Sequence, residues 1–356
     1  MTRPRKRRFG FVFLLLLVAA VAAAFVLWQR YAGFADAPMA GFEDGASVVV
    51  ESGDSLPVVV RKLREAGVTK GEEIEWRVLA RELGADGRLH VGEYALAPGT
   101  TPRELLTAMR EGRVINHRFT IVEGWNIREL RAALAKAKPL EQEGAELDDA
   151  ALMARLGHAG QHPEGRFLPE TYLYTRGDSD LDVLARAHAA MAKALAAAWE
   201  SREADSVLKT PDEMLTLASI VEKETGIAEE RPQIAGVFER RLRIGMRLQT
   251  DPTVIYGIGP RYDGNIRRRD LETDTPYNTY TRDGLPPTPI AMPGVDALAA
   301  VADPADGDAL YFVAVGDGSG RHVFSSSLAE HNAAVSRYVR RYREAQRAPQ
   351  PAREAQ

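Results

Sequence analysis

The stretch "FGFVFLLLLVAAVAAAFVLW", Phe9 to Trp28, holds twenty residues without a charge. As a helix rising about 1.5 Å per residue, it matches the roughly 30 Å of a bilayer's hydrocarbon core. Five basic residues precede it: Arg3, Arg5, Lys6, Arg7 and Arg8. Between Trp28 and Arg61 the only basic residue is Arg30. That asymmetry predicts a cytoplasmic N-terminus (residues 1–8), a transmembrane helix over 9–28 and everything after it on the far side. Trp28 and Tyr31 suit the far interface. A cleaved signal peptide is the rival reading, and "VAAVAAA", Val18 to Ala24, supplies small residues for a cleavage site. Its apolar core would span only about 7–15 residues, however, so a retained anchor is the better match.

The remaining composition narrows the chemistry. The chain of 356 residues is long enough for two or more domains. It has no cysteine, which removes disulfides, thiolate metal sites and thiol nucleophiles. Net charge is −4, and removing the five N-terminal cations leaves −9, so nothing points to nucleic acid. The seven histidines form no HExxH or other close ligand pair, so no metal and no other cofactor is expected. The glycine-rich "GDGSGRH", Gly316 to His322, lies between two strand-like runs and reads as a hairpin turn, not a phosphate loop or nucleophile elbow.

The organisation is α+β. Residues 29–45 read as a linker. "SVVVESGDSLPVVVRKLREAGV" is a short strand, a turn and an amphipathic helix with Ser55 as N-cap; a second helix follows at 72–83 and a strand at 92–97. "TPRE", Thr101 to Glu104, is a capping box that opens a further helix. A strand at 117–122 precedes a helix capped by Asn126, with Glu129 three residues on. From 114 to about 345 no linker is evident, so one larger domain is expected. Residues 346–356, polar and containing proline, read as a disordered tail.

Carboxylates carry the remaining chemistry. "TPDEMLTLASIVEKETG" starts at Thr210 as N-cap and should stop at Gly226. Its apolar residues share one face, with Glu222 and Glu224 on either flank at about +80° and −80° when Met214 is set to zero. Glu224 shares its side with Leu217 and Ile220, which lose it solvation and raise its pKa. That is what a general acid needs. Two rim carboxylates of an ordinary amphipathic helix fit the pattern equally, and periodicity favours Glu224 only slightly. Downstream, "YNTYTRDGLPPTPIAMPG" has little room for regular structure, and its Tyr277, Asn278 and Tyr280 offer rings and an amide suited to sugars.

"LASIVEKET", "RLRIGMRLQTDPTVIYG", "YNTYTRDGLPPTPIAMPG" and "LYFVAVGDGSGRHVFSSSLAEHN" closely resemble the endolytic murein transglycosylases, the YceG-like family. The anchor, "EGW" at Glu123 to Trp125 and "FLPETYLY" at Phe167 to Tyr174 agree with it. "ESGDSL", Glu51 to Leu56, resembles the turn of a LysM module and marks 46–113 as a LysM-like domain. The family's catalytic acid is the second glutamate of "EKET", here Glu224. Its likeness to other lytic transglycosylases implies cleft roles for Gln249, Tyr277, Asn278 and Tyr280, with Glu170 a further candidate. The implied reaction cuts the MurNAc–GlcNAc β-1,4 bond of nascent peptidoglycan without water and leaves 1,6-anhydroMurNAc. It places the catalytic domain (114–345) on the periplasmic face of the bacterial inner membrane, beside peptidoglycan synthases. Two other readings are a non-catalytic peptidoglycan-binding scaffold, and a glycoside hydrolase with Glu222, Glu170 or Glu272 as second carboxylate.

The anchor reading predicts that immunoblots of fractionated cells find the chain at full length in the membrane pellet. A shortened species in the soluble fraction would mean a cleaved leader instead.

Overall fold

The structure, a computed structural model, describes residues 5–347. They fall into two compact units. The first runs up to His117 and takes in Leu173–Gly177; the second holds Arg118–Tyr172 and everything from Asp178 on.

The first unit begins with α1 (Arg5–Ala35). Within its stretch Phe11–Ala35 the most apolar eighteen residues have a mean hydropathy of 2.9 and no burial within the protein, so the helix is long and apolar enough to cross a membrane. The segment expected to be a linker differs from that reading at its start. The helix runs on to Ala35, and Phe34, Ala35 and Met39 are buried among the unit's apolar residues. The reason is local packing. The Phe34 ring meets Trp76 edge-on, with centroids 5.2 Å apart. Arg30 Nε donates to Glu75 at 2.9 Å. Gly71 makes room: its φ is +84°, and a Cβ there would sit 2.1 Å from the Phe34 ring.

The unit continues as strand, helix, helix, strand: β1 (Ser47–Val50), α2 (Leu56–Glu65), α3 (Glu73–Glu82) and β2 (Gly92–Ala95), with β1 and β2 antiparallel. Then α4 (Pro102–Glu111) starts with the capping box at Thr101 and Glu104 and ends at Gly112 in the left-handed region. Its Leu105, Leu106 and Met109 close the core over Val59, Leu63, Leu79 and Tyr94. The return of Leu173–Gly177 to this unit could not be foreseen from chain order. Arg176 Nε from that segment donates to Glu93 at 3.1 Å. Burial alone would raise the Glu93 carboxyl, but the bonds from Arg176, Ser47 and His117 outweigh it and hold it at about 2.

The second unit contains β3 (His117–Thr120, shared at its first residue), α5 (Ile127–Leu134), α6 (Asp149–Arg155), the first two residues of β4 (Thr171–Tyr174), α7 (Asp180–Ser201), α8 (Pro211–Glu224), α9 (Arg231–Arg243), α10 (Asp251–Ile258), α11 (Arg268–Glu272), α12 (Val295–Ala302), β5 (Tyr311–Ala314), β6 (His322–Ser325) and α13 (Leu328–Arg347). The strands β5 and β6 pair antiparallel around the glycine-rich turn. The helix α13 reaches Arg347, and the remainder of the expected tail lies outside the described residues, as do residues 1–4 of the basic N-terminus.

Helix α8 is the centre of this unit rather than an amphipathic helix with one buried face. Every residue from Met214 to Val221 is buried, enclosed by α7, α9, α10 and α12. Thr216 and Ser219 look polar in sequence, but their hydroxyls bond backward within the helix, to Asp212 O at 2.8 Å and Thr216 O at 2.7 Å. Such satisfied hydroxyls can be buried at little cost.

Trp76→Ala is predicted to cost about 3–5 kcal/mol by leaving a cavity under Phe34. Amide exchange in α3 and α4 should accelerate; unchanged protection there would contradict the packing described.

Candidate active site

Helix α8 begins at Thr210, whose hydroxyl accepts from Glu213 N at 3.2 Å, with Pro211 in the first turn. It ends differently from the expected glycine stop. Glu224 is its last residue, and Thr225 turns the chain into extended geometry (φ −145°, ψ 137°) before Gly226 is reached. The Glu224 side chain therefore leaves from a helix's final turn, among its unpaired carbonyls, where a negative charge is disfavoured.

Glu224 is half-buried. One carboxyl oxygen accepts from the Thr250 hydroxyl. Loss of solvation pushes the carboxyl up to about 7; the Thr250 bond opposes the rise, the Asp251 charge adds to it and the Arg241 charge opposes it. Thr250 is itself fixed. Its N–H donates to Thr279 Oγ1 at 3.0 Å, and Thr253 Oγ1 reaches both Thr250 O at 2.8 Å and Thr279 Oγ1 at 2.9 Å. Arg241 is buried, with its guanidinium spent on the carbonyls of Leu310 and Leu248 at 2.6 Å each. Tyr280 donates to Asp251 at 2.6 Å. Burial is the largest influence on its phenol and pushes the pKa up, with the charges of Asp251 and Glu224 adding to the rise.

Glu222 points elsewhere. Its carboxylate accepts from Gly294 N at 3.0 Å, at the start of α12, with Arg231 Nη2 3.7 Å away. It holds the end of the proline-rich loop at a helix N-terminus, a favourable place for a negative group. Lys223 is exposed and donates to Gly124 O at 3.1 Å.

The sequence candidates divide. Gln249 is exposed, and with φ at +49° it is the only non-glycine residue of positive φ among the described residues. That turn sends Thr250, not Gln249, into the carboxyl's environment. The Tyr277 ring packs 4.8 Å from Tyr256, and its hydroxyl meets Thr288 at 2.8 Å. Asn278 lies inside the proline-rich loop. It is 1% exposed, and its amide donates to the carbonyls of Asp270, Leu271 and Thr273 while its oxygen accepts from Tyr280 N. With these bonds it shapes the loop. Glu170 is exposed beside β4, and no contact ties its carboxylate to Glu224. Glu272 is exposed and paired with Arg268.

Sequence reasoning missed Thr250 and Asp251, although a Thr before Asp-Pro is a readable helix start. It also missed Glu164, which is fully buried. Its carboxylate accepts from Ile127 N at 3.0 Å and from Tyr256 Oη at 2.9 Å. Burial, only partly offset by those bonds, raises it to about 7.

The profile of the YceG-like family matches residues 48–337. A Bacillus subtilis protein named endolytic murein transglycosylase is 30% identical over 310 residues, covering 82% of this chain and 84% of its own. A Streptococcus pneumoniae protein of the same name is 32% identical over 180 residues, 49% of this chain and 32% of its own. The crystal structure of a YceG-like protein from Listeria monocytogenes is similar at a TM-score of 0.53 and 28% identity, covering 82% of this chain and 99% of that one.

The raised pKa of Glu224 predicts a stability signature with a definite sign. The unfolded chain releases this proton near the ordinary 4.5 and the folded chain near 7, so folding loses stability as pH rises through that window. Glu224→Gln should therefore gain stability over the parent by about 1–3 kcal/mol at pH 8, and by almost nothing at pH 4. Thermal melts at the two pH values measure it, and a variant equally or less stable at pH 8 contradicts it.

Proposed function

The chain belongs to the YceG-like family and is a peptidoglycan lytic transglycosylase, and from that premise we propose that Glu224 carries the proton transfers. Protonated, it donates to the glycosidic oxygen between MurNAc and GlcNAc, and the bond from the MurNAc anomeric carbon to that oxygen breaks. The 6-hydroxyl of the same MurNAc attacks the anomeric carbon, and Glu224, now a carboxylate, takes its proton. The glycan leaves with a 1,6-anhydroMurNAc end and a free GlcNAc 4-hydroxyl; no water is consumed and Glu224 returns to its starting form. The observation that carries this reading is a half-buried carboxyl at about 7, bonded to a buried hydroxyl. A group that serves first as acid and then as base works best near the ambient pH. The Thr250 hydroxyl supports the second role, because it stabilises the carboxylate once the proton has left.

The rest of the reading follows from position. Exposed Gln249 and the rings of Tyr277 and Tyr280 are proposed as sugar contacts, with Asn278 in support through the loop. The apolar α1 anchors the chain in the inner membrane with its N-terminus cytoplasmic, so catalysis faces the periplasm and acts within nascent strands near the synthases that make them. Residues 46–113 are proposed as a LysM-like domain, their strand–helix–helix–strand order being what supports that, and residues 114–345 as the catalytic domain.

Mass spectrometry of strands treated with the full-length chain in detergent is predicted to find anhydro ends. Reducing ends would mean hydrolysis, and no release a binding scaffold. Glu224→Gln should lose at least about 1000-fold in kcat, and Glu222→Gln should retain cleavage at the same bond. Activity should fall as pH rises above about 7, where the acid is lost. Thr250→Ala removes the bond that favours the carboxylate, so that falling limb should move to higher pH; movement to lower pH would contradict the assignment.

A further inference from the structure

A cavity of about 530 Å³ lies along α5 and α10 in the second unit, lined by Asn126, Arg128, Lys223, Pro252, Tyr256 and Tyr262 among others. Two of its lining residues, Lys223 and Pro252, are sequence neighbours of the proton-transfer site. Lys223 directly precedes Glu224, and Pro252 directly follows Asp251. Its volume lies within the range of small-ligand sites.

The charge in it is unbalanced. Arg128 and Lys223 are both exposed cations, and neither forms an ion pair with a carboxylate among the described residues. One carboxylate, Glu129, also lines the cavity, so two cations face one anion there, and the two carboxylates closest in the chain are already bonded. Glu129 accepts from Asn126 N at 2.8 Å, and Glu164 is taken by Ile127 N and Tyr256 Oη. Arg128 is also oriented, its guanidinium lying over the Tyr256 ring at 5.5 Å. Lys223 is held by the Gly124 carbonyl. An arginine laid on a ring keeps its fork of donors free at the edge, and a carboxylate is the planar anion that matches such a fork.

We propose that this cavity is a subsite for the stem peptide of the MurNAc residue being cleaved, with Arg128 and Lys223 receiving a peptide carboxylate. The proposal rests on the transglycosylase reading and specifies its substrate. Glycan sugars of peptidoglycan are uncharged, so the anions near the scissile bond are carboxylates of the peptide on the MurNAc lactyl group. That MurNAc carries both the attacked carbon and the peptide, so a subsite for the peptide has to adjoin the proton donor. Tyr256 and Tyr262 supply apolar faces for the peptide's aliphatic parts.

The test uses the full-length protein in detergent with three substrates: strands bearing stem peptides, the same strands with their carboxyls amidated, and strands stripped of peptide. The wild type should cut the first with a kcat/KM at least about tenfold above the second, the size of a lost charge-assisted bond, and above the third, whose only nearby anion is the shorter lactyl carboxylate. Arg128→Gln should abolish the difference between the first two, and Arg128→Lys should restore part of it. Equal rates of wild-type cleavage on intact and amidated strands overturn the proposal and leave the transglycosylase reading standing, whatever the variants do. Failure to cut any of the three removes both.

Discussion

A carboxyl group at the C-terminal end of a buried helix is in an unfavourable place, and the second unit is built around keeping one there. Glu224 ends α8, where unpaired carbonyls repel negative charge and burial removes solvation. The Thr250 hydroxyl is its direct partner. The Thr250 backbone is held in turn by the buried hydroxyls of Thr253 and Thr279, which join the start of α10 to the proline-rich loop. Burial raises the carboxyl and the Thr250 bond opposes the rise, with the Asp251 charge adding to it and the Arg241 charge opposing it, so the group stands at about 7.

The buried helix makes this arrangement rigid. Met214 through Val221 are enclosed on all sides, so the last turn of α8 inherits a fixed direction. The proline-rich loop is then stitched over it: Ile290 N to Ser219 Oγ at 3.0 Å, Met292 to Gly124 and Trp125, and Gly294 N to Glu222. Glu222 and Glu224, two residues apart, thus end in opposite circumstances. One caps α12 and fastens the loop, and the other meets a lone hydroxyl in a poorly solvated place.

Much of this was legible in the chain, and the gaps have physical causes. The long apolar N-terminal helix, the order of the first unit and the helix carrying Glu224 follow from runs of apolar residues and capping signals, which are local. Thr216 and Ser219 disguised α8 as a one-faced helix, because sequence does not show that a hydroxyl bonds back to its own helix. The position of Thr250 was not legible because a backbone with positive φ at a non-glycine residue leaves no mark in residue type, yet it decides which of two neighbours turns inward. Asn278 suits a sugar by residue type, and its three carbonyl partners within the loop depend on a fold the type does not show. The burial of Glu164 and the return of Arg176 to the first unit depend on contacts distant in the chain.

The account turns on the protonation of one side chain, and that can be observed without substrate. Carbon-13 labelling of glutamate carboxyls, followed by NMR titration of the parent and of Glu224→Gln, identifies the Glu224 resonance by its disappearance. The account predicts a midpoint near 7 for that resonance. A midpoint near the ordinary 4.5 would leave the group ionised at neutral pH and contradict its role as the proton donor.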